Sequence, residues 1–268
     1  MKLLFLRSSV ERKDLITQLI KRDIVSRYKG SILGISWSMI NPLIMISIYT
    51  LVFSQVFQAK WGTNANNDDP LYFGVNLFCG LVVFNMFAES ATRSPTLITS
   101  NPNYVKKIVF PLYTLGEMVV GSTLMHASIS TVILIMTKIV ILGTISPIVL
   151  MLPLVWLPYI LECLGLVWFL STIGVFIKDT AQIVNAIVSM TMFLSPIFYP
   201  SSAIPDSLKW LIALNPLVKT IDNTRLIIME NSLPEITGLL GHVFIGIIWC
   251  ELNYRFLRSS KKYFGEVL

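Results

Sequence analysis

The stretch KRDIVSRYKGSILGISWSMINPL, Lys21 to Leu43, decides the fold class. Its first nine residues carry five charged side chains, and from Ile35 onward the chain stays uncharged until Lys60. Gly30, Gly34 and Trp37 stand at the join. A basic amphipathic segment set against a long apolar run fits a helix lying along a membrane surface, followed by a helix that enters the bilayer.

Composition extends this reading to the whole chain. The 268 residues are 54% hydrophobic and 13% charged, with mean hydropathy +0.70. A soluble domain carries about 25% charge, so too little polar sequence is present to coat one, and an all-α polytopic membrane protein is expected. The net charge of +6 lies beside apolar segments, which argues for membrane lipids and against nucleic acid as the partner. Cys79, Cys163 and Cys250 fall inside apolar runs, odd in number, and are expected as buried free thiols. The N-terminal MKLLFLRSSVERKD has too short an apolar core for a secretory signal, so no cleavage is expected.

A helix needs about 20 apolar residues to cross a bilayer. Six segments qualify, roughly 35–57, 71–92, 112–142, 147–177, 181–199 and 236–257. Residues 1–34 are then a cytoplasmic N-terminal segment, 35–257 a six-span domain, and 258–268 a cytoplasmic tail. Sixteen of the 21 Lys and Arg residues fall on the side that holds both termini and the loops after spans two and four. Four, Lys60, Lys209, Lys219 and Arg225, fall opposite, and Lys138 near the outer end of span three is expected to snorkel outward. The positive-inside rule therefore places both termini in the cytoplasm. The third and fourth spans exceed the needed length, with Pro153 and Pro158 as kink points in the fourth. Pro42 after Asn41 is expected to kink the first. No repeat relates the first three spans to the last three, which argues against an inverted-repeat transporter.

Several features stand out within this frame. Between Asp14 and Tyr28, Leu15, Ile16, Leu19, Ile20, Ile24 and Tyr28 share one helical face, away from Lys13, Lys21, Arg22 and Arg27. The segment is either a topology anchor or one wall of a substrate entrance, with Arg22, Arg27, Tyr28 and Trp37 as its testable residues. Gly30 and Gly34 form a small-xxx-small pair, suited either to close backbone approach or to a bend. The loop Ser100–Pro111 has a Ser-Asn-Pro start, a short basic stretch and a proline stop, enough for two or three helical turns at the surface. Between Ser201 and Met229 two apolar pieces, each too short to span, are divided by prolines and suggest a re-entrant pair of outer helices. Glu89, Glu117 and Glu251 fall in the cytoplasmic third of their spans, where pairing with nearby Arg93 or Arg255 is expected for all three. His126 and Glu162 lie deeper and suit either a proton relay or an interhelical hydrogen bond. No Walker A loop, HExxH, CxxC or GxSxG is present, so neither a metal site nor catalytic residues are expected, and any ATP-driven work belongs to a separate subunit.

The run Arg22-Asp23, Arg27-Tyr28, Ser31-Ile32-Leu33-Gly34, Trp37 and Pro42 resembles the entry of the membrane subunit of type-2 ABC exporters, in the bacterial polysaccharide-export branch. SPIFYP at Ser195–Pro200 and LNPL at Leu214–Leu217 resemble that branch as well. The resemblance implies a homodimer of six-span subunits in the bacterial inner membrane, bound to two copies of an ATPase that holds Mg-ATP. It implies an O-antigen or capsular polysaccharide as cargo, often lipid-linked, with no cofactor in this chain. By the same resemblance, Asn101, Pro102, Tyr104, Lys106 and Lys107 become an ATPase-coupling element, and Trp210, Asn215 and Pro216 part of an outer gate. Teichoic acid, lipid or drug export within the family remains open. A proton-coupled secondary transporter relaying through Glu162 and His126 is the alternative from another class, and a membrane-embedded enzyme is disfavoured by the lack of clustered catalytic groups.

Overall fold

The structure, a computed structural model, describes residues 4–53, 61, 70–106, 110–143, 145–208, 210 and 215–268. Helices make up the fold, and no strand occurs among the described residues. Two N-terminal helices, α1 (Leu4–Glu11) and α2 (Lys13–Tyr28), precede α3 (Trp37–Leu51), α4 (Pro70–Arg93), the single turn α5 (Asn103–Lys106) and α6 (Tyr113–Leu142). Then follow α7 (Leu152–Phe176), α8 (Thr180–Leu194), α9 (Pro216–Ile228), α10 (Ile236–Ser260) and the short α11 (Phe264–Val267).

Five helical stretches among the described residues are long and apolar enough to cross a membrane: Gly34–Leu51, Leu71–Arg93, Tyr113–Val140, Pro147–Phe176 and Ile236–Val267. The expected fifth span, 181–199, is represented by Thr180–Leu194, which at 15 residues is shorter than these. At 1.5 Å per residue it covers only about 22 Å. It stops because Ser195 precedes a proline, which pushes that residue to extended backbone (ψ 147°).

The α4 helix is the hub: 72% of its span is buried, against 6% for the span containing α3. It packs on α3, α6, α7, α8 and α9. The most extensive helix packing is between α7 and α10, and glycine lets the two approach: a Cβ on Gly246 would sit 2.9 Å from the Pro158 carbonyl oxygen. Small residues at such a crossing let van der Waals contact replace the hydrophobic drive that lipid does not supply. All three cysteines are buried free thiols.

Several local readings are decided by the fold. Pro153 is not a kink point, because it lies in the first turn of α7, where a missing N–H costs nothing. The preceding Pro147–Met151 forms its own 3₁₀ turn, capped by the Ser146 side chain accepting from the Ile148 N–H. Gly30 and Gly34 do not serve close packing: nothing lies within 4 Å of a Cβ built on either. Both adopt positive φ (87° and 52°), so the pair turns the chain from α2 into α3 in a left-handed conformation that glycine adopts without strain. Lys138 does not snorkel: it is 1% exposed, and its ammonium donates to Asn231 Oδ1 at 3.0 Å. In the loop Ser100–Pro111 the described residues include the helical turn α5; residues 107–109, Lys107 among them, lie outside the described residues.

Candidate functional site

The basic end of the bundle carries a charged cluster built from three helices. The apolar face of α2 expected from sequence is turned inward: Leu19 and Ile24 are buried, and Leu15, Ile16, Ile20 and Tyr28 partly so, while Lys13, Lys21 and Arg22 are exposed. The partner of that face is α6. A Cβ on Gly121 would lie 2.3 Å from Ile20 Cδ1, so this glycine is what admits the helix. Seating α2 there delivers Asp23, Arg27 and Tyr28 to α4 and α6.

Asp23 Oδ1 accepts from Arg93 Nη2 at 2.7 Å, and its Oδ2 lies 3.7 Å from Arg27 Nε. Arg27 also pairs with Glu89, which sits one turn before Arg93 and 3.4 Å from its Nη1. Arg93 Nη1 donates in addition to the Ser122 hydroxyl at 3.1 Å. Two carboxylates and two guanidiniums thus balance in a partly buried setting. His126 completes the cluster, with Nδ1 3.2 Å from Arg27 Nη1 and Nε2 3.2 Å from the Tyr28 hydroxyl. Nδ1 also lies 3.5 Å from Glu89 Oε2, so the ring stands between a guanidinium that can only donate and a carboxylate that accepts, and its tautomer sets which contact it makes. Burial pushes the Tyr28 phenol above its ordinary range, against the opposing pull of Arg27. Arg27 and Tyr28 are therefore held by protein groups. Arg22 is exposed, and its guanidinium donates to the Tyr104 hydroxyl at 3.2 Å.

Tyr104 belongs to α5. Its ring stacks on Phe110 with centroids 4.3 Å apart, and the Phe110 carbonyl accepts from Lys261 Nζ at 2.9 Å. Asn101 donates from Nδ2 to the Leu97 carbonyl, closing the turn before α5, and the Pro102 carbonyl accepts from Val105 and Lys106. Lys106 and Pro102 are exposed. Trp37 opens α3, 36% exposed.

The other acids expected within spans lie apart from this cluster. Glu117 meets neither expected arginine among the described residues: Oε1 accepts from the Ser9 hydroxyl, and the buried Oε2 has no hydrogen-bond partner there. Glu251 accepts from Arg255 Nε at 2.6 Å and from the Phe5 amide at 3.3 Å, which anchors α1 on α10. Glu162 does not meet His126. It lies 2.9 Å from His242 Nε2 across the α7–α10 crossing, out of line for a hydrogen bond. His126 and Glu162 thus have separate partners, and the geometry gives no direct step between them. His242 escaped the sequence reading, although as one of only two histidines it could have been paired with the one deep acid.

At the opposite end, Asn215 caps α9 by accepting from the Leu217 amide at 3.0 Å, and its Nδ2 donates to the Ser195 hydroxyl at 2.9 Å. Pro216 occupies the first position of α9, where no amide is needed. Trp210 is 63% exposed; residues 211–214 lie outside the described set. Arg225, also missed, is 5% exposed. It donates to the carbonyls of Asn76 (3.2 Å), Pro196 (2.6 Å) and Ile197 (3.0 Å), with its guanidinium 4.4 Å from the Trp61 ring centroid. Nearby, Phe53 stacks on Phe73 at 5.7 Å and on Phe198 at 5.4 Å, and Phe198 stacks on the 70% exposed Phe193 at 6.1 Å.

Five helices long and apolar enough to cross a membrane among the described residues, with a charged lock beneath an amphipathic helix, define a multi-pass membrane protein. The chain belongs to the ABC-2 type transporter family, whose model matches residues 14–229. It is 29% identical over 95% of both chains to the O-antigen export system permease protein RfbA of Klebsiella pneumoniae. It is 25% identical over 97% of both to the RfbA of Myxococcus xanthus. The polysialic acid transport protein KpsM of Escherichia coli is 26% identical over 90% of this chain and 94% of its own.

Proposed function

We propose that this chain is the transmembrane subunit of an ATP-driven exporter that moves a polysaccharide of the O-antigen or capsule type, in lipid-linked form, across the bacterial inner membrane. The observation that carries the reading is near end-to-end similarity to export permeases of two related polysaccharide classes. In this reading the chain works as a homodimer with two cytoplasmic ABC ATPase subunits that bind Mg-ATP, and it performs no catalysis itself. Six crossings, with α8 and the chain to Tyr199 forming the fifth, keep both termini cytoplasmic, in line with the Lys and Arg distribution.

In this reading each element has a part. The α2 helix lies along the cytoplasmic headgroups and flanks cargo entry, with Arg22 and Trp37 toward the lipid-linked end of the substrate. The α5 turn, with Asn101, Pro102, Tyr104, Lys106 and Lys107, receives the ATPase stroke. The α9 helix and the segment before it, with Trp210, Asn215 and Pro216, form re-entrant outer helices beside the aromatic row of Phe53, Phe198 and Phe193, whose ring faces suit the apolar faces of sugars.

The test is surface display of the polysaccharide in cells whose only copy of this subunit is the variant. An ATPase partner with its Walker lysine replaced abolishes display, and Glu162→Gln here leaves it intact. Display that survives the dead ATPase but is lost in Glu162→Gln establishes the proton-coupled alternative instead.

A further inference from the structure

At the basic end, where the N-terminal helix α1 meets the start of α6 and the end of α10, lies a cavity of about 300 Å³. Three cations border it: Arg12, Arg258 and Lys261. No acidic side chain lines it. The carboxylates closest in sequence are already engaged: Glu251 holds Arg255 and the Phe5 amide, Glu117 takes the Ser9 hydroxyl, and Glu11 pairs with Arg7 at 2.8 Å. Among the described residues neither Arg12, Arg258 nor Lys261 has an ion-pair partner; the Lys261 ammonium donates to the neutral Phe110 carbonyl, which leaves its charge uncompensated. The lining also includes the apolar Phe110, Leu112 and Leu257. Its polar edge is Tyr254, whose hydroxyl is 2.7 Å from the Ser8 hydroxyl and so is held in place.

Three cations and apolar side chains lining one cavity at the ends of α6 and α10 match a molecule with a phosphate head and a hydrocarbon tail. Such pockets between spans on the cytoplasmic side take anionic lipid headgroups. The volume suits one headgroup and is at the small end of ligand cavities; it is no passage for a polymer. We infer that this pocket binds the phosphate of one anionic phospholipid per chain, a site separate from the cargo route. The inference rests on the proposed cytoplasmic placement of this end, and on no assumption about cargo. Because Lys261 and Phe110 line the pocket and Phe110 stacks on Tyr104, the bound lipid braces α5 from behind.

The experiment is native mass spectrometry of the full-length chain, alone and with its ATPase, in a neutral detergent. The probes are phosphatidylglycerol, phosphatidylcholine and inorganic phosphate. Wild type retains one tightly held phosphatidylglycerol per chain, which inorganic phosphate does not displace. The triple variant Arg12→Gln, Arg258→Gln, Lys261→Gln binds it on the order of 100-fold more weakly, at roughly a few-fold per removed cation. The control Arg7→Gln, on the same helix but outside the pocket, keeps it. The milder Arg12→Lys, Arg258→Lys retains it and guards against a folding defect. Three outcomes overturn the inference: equal retention in wild type and triple variant, displacement by inorganic phosphate with no preference among lipids, or loss of the ATPase with lipid retention unchanged. The last would mark an ATPase contact instead. Retention is read without regard to sidedness or transport, so its failure is distinguishable from failure of the export reading.

Discussion

Arg22 Nη2 reaches the Tyr104 hydroxyl at 3.2 Å across 82 residues of chain, which ties the amphipathic helix to the single turn before α6. The same tyrosine stacks on Phe110, and Phe110 is held through its carbonyl by Lys261. One continuous set of contacts thus runs from α2 through α5 to the end of α10. If α5 receives the ATPase stroke, motion there reaches α2 by contact, with no intervening loop to absorb it.

Removing that tie should uncouple the two elements while leaving the fold intact. An exposed charged hydrogen bond contributes about 1 kcal/mol or less to stability, so Arg22→Ala and Tyr104→Phe should melt close to wild type. In the complex each should reduce cargo-stimulated ATP hydrolysis up to about fivefold, the factor that 1 kcal/mol represents. The double variant should fall no further than either single one. Additive losses would show that the two residues act independently.

The cluster beneath α2 should behave in the opposite way, as a matter of stability. Asp23 is 13% exposed and faces both Arg93 and Arg27. Asp23→Ala leaves two guanidiniums sharing Glu89, and breaking one side of a buried pair costs about 3–5 kcal/mol at full burial. The arginines are 26% exposed, which lowers the expected loss to about 2 kcal/mol. A clear drop in the melting temperature of the purified protein checks this, and Arg93→Gln on the Asp23→Asn background should add little further loss. A melting temperature unchanged in Asp23→Ala would mean that α2 is held by its apolar face alone.

How far the sequence carries this picture depends on distance along the chain. Apolar length discloses the crossings, and spacing of four residues discloses Glu89–Arg93 and Glu251–Arg255, because one helical turn makes such pairs without knowledge of packing. Arg27–Glu89, Arg22–Tyr104 and Glu162–His242 join residues on different helices, and a hydrophobic face tells that a helix is covered without telling by what. Arg225 is legible in part. Leu217, Ile221, Thr224 and Ile228 mark the buried stripe of α9, and Arg225 follows Ile221 by four residues, so an arginine already falls on the covered face. What it bonds, three carbonyls from two other elements, needs the fold.

Those carbonyls predict a specific cost for the conservative change Arg225→Lys. The guanidinium fork satisfies Asn76, Pro196 and Ile197 together, whereas an ammonium on a flexible stem is a compact point of charge that cannot span the same three oxygens. Each buried acceptor left unpaired costs about 1–3 kcal/mol, so Arg225→Lys should lower the melting temperature markedly. A cysteine introduced at the exposed Ser202 should label faster with an impermeant maleimide in whole cells, as the Pro196–Ile197 segment loosens from α9. Stability and labelling that match wild type would mean that Arg225 holds nothing in place.

Two glycines inside helices should respond to alanine with opposite sign. A Cβ on Gly174 would lie 2.0 Å from the Pro95 carbonyl oxygen, and that atom is backbone at the start of the turn that leads to α5. Neither partner can swing away, so Gly174→Ala must push α7 off the turn, at about 1–3 kcal/mol for overpacking. Gly241 lies within α10, and nothing stands within 4 Å of the place its Cβ would take. Gly241→Ala meets no obstacle and gains up to about 1 kcal/mol in helix propensity. Intrinsic-fluorescence melting of the two purified variants should bracket wild type, Gly174→Ala below and Gly241→Ala level or above. The same push should reach Tyr104 through the turn, so Gly174→Ala should also weaken cargo-stimulated ATP hydrolysis, while Gly241→Ala leaves it unchanged. A Gly174→Ala protein that melts and couples like wild type would mean that α7 and the Pro95 turn are not in the contact described.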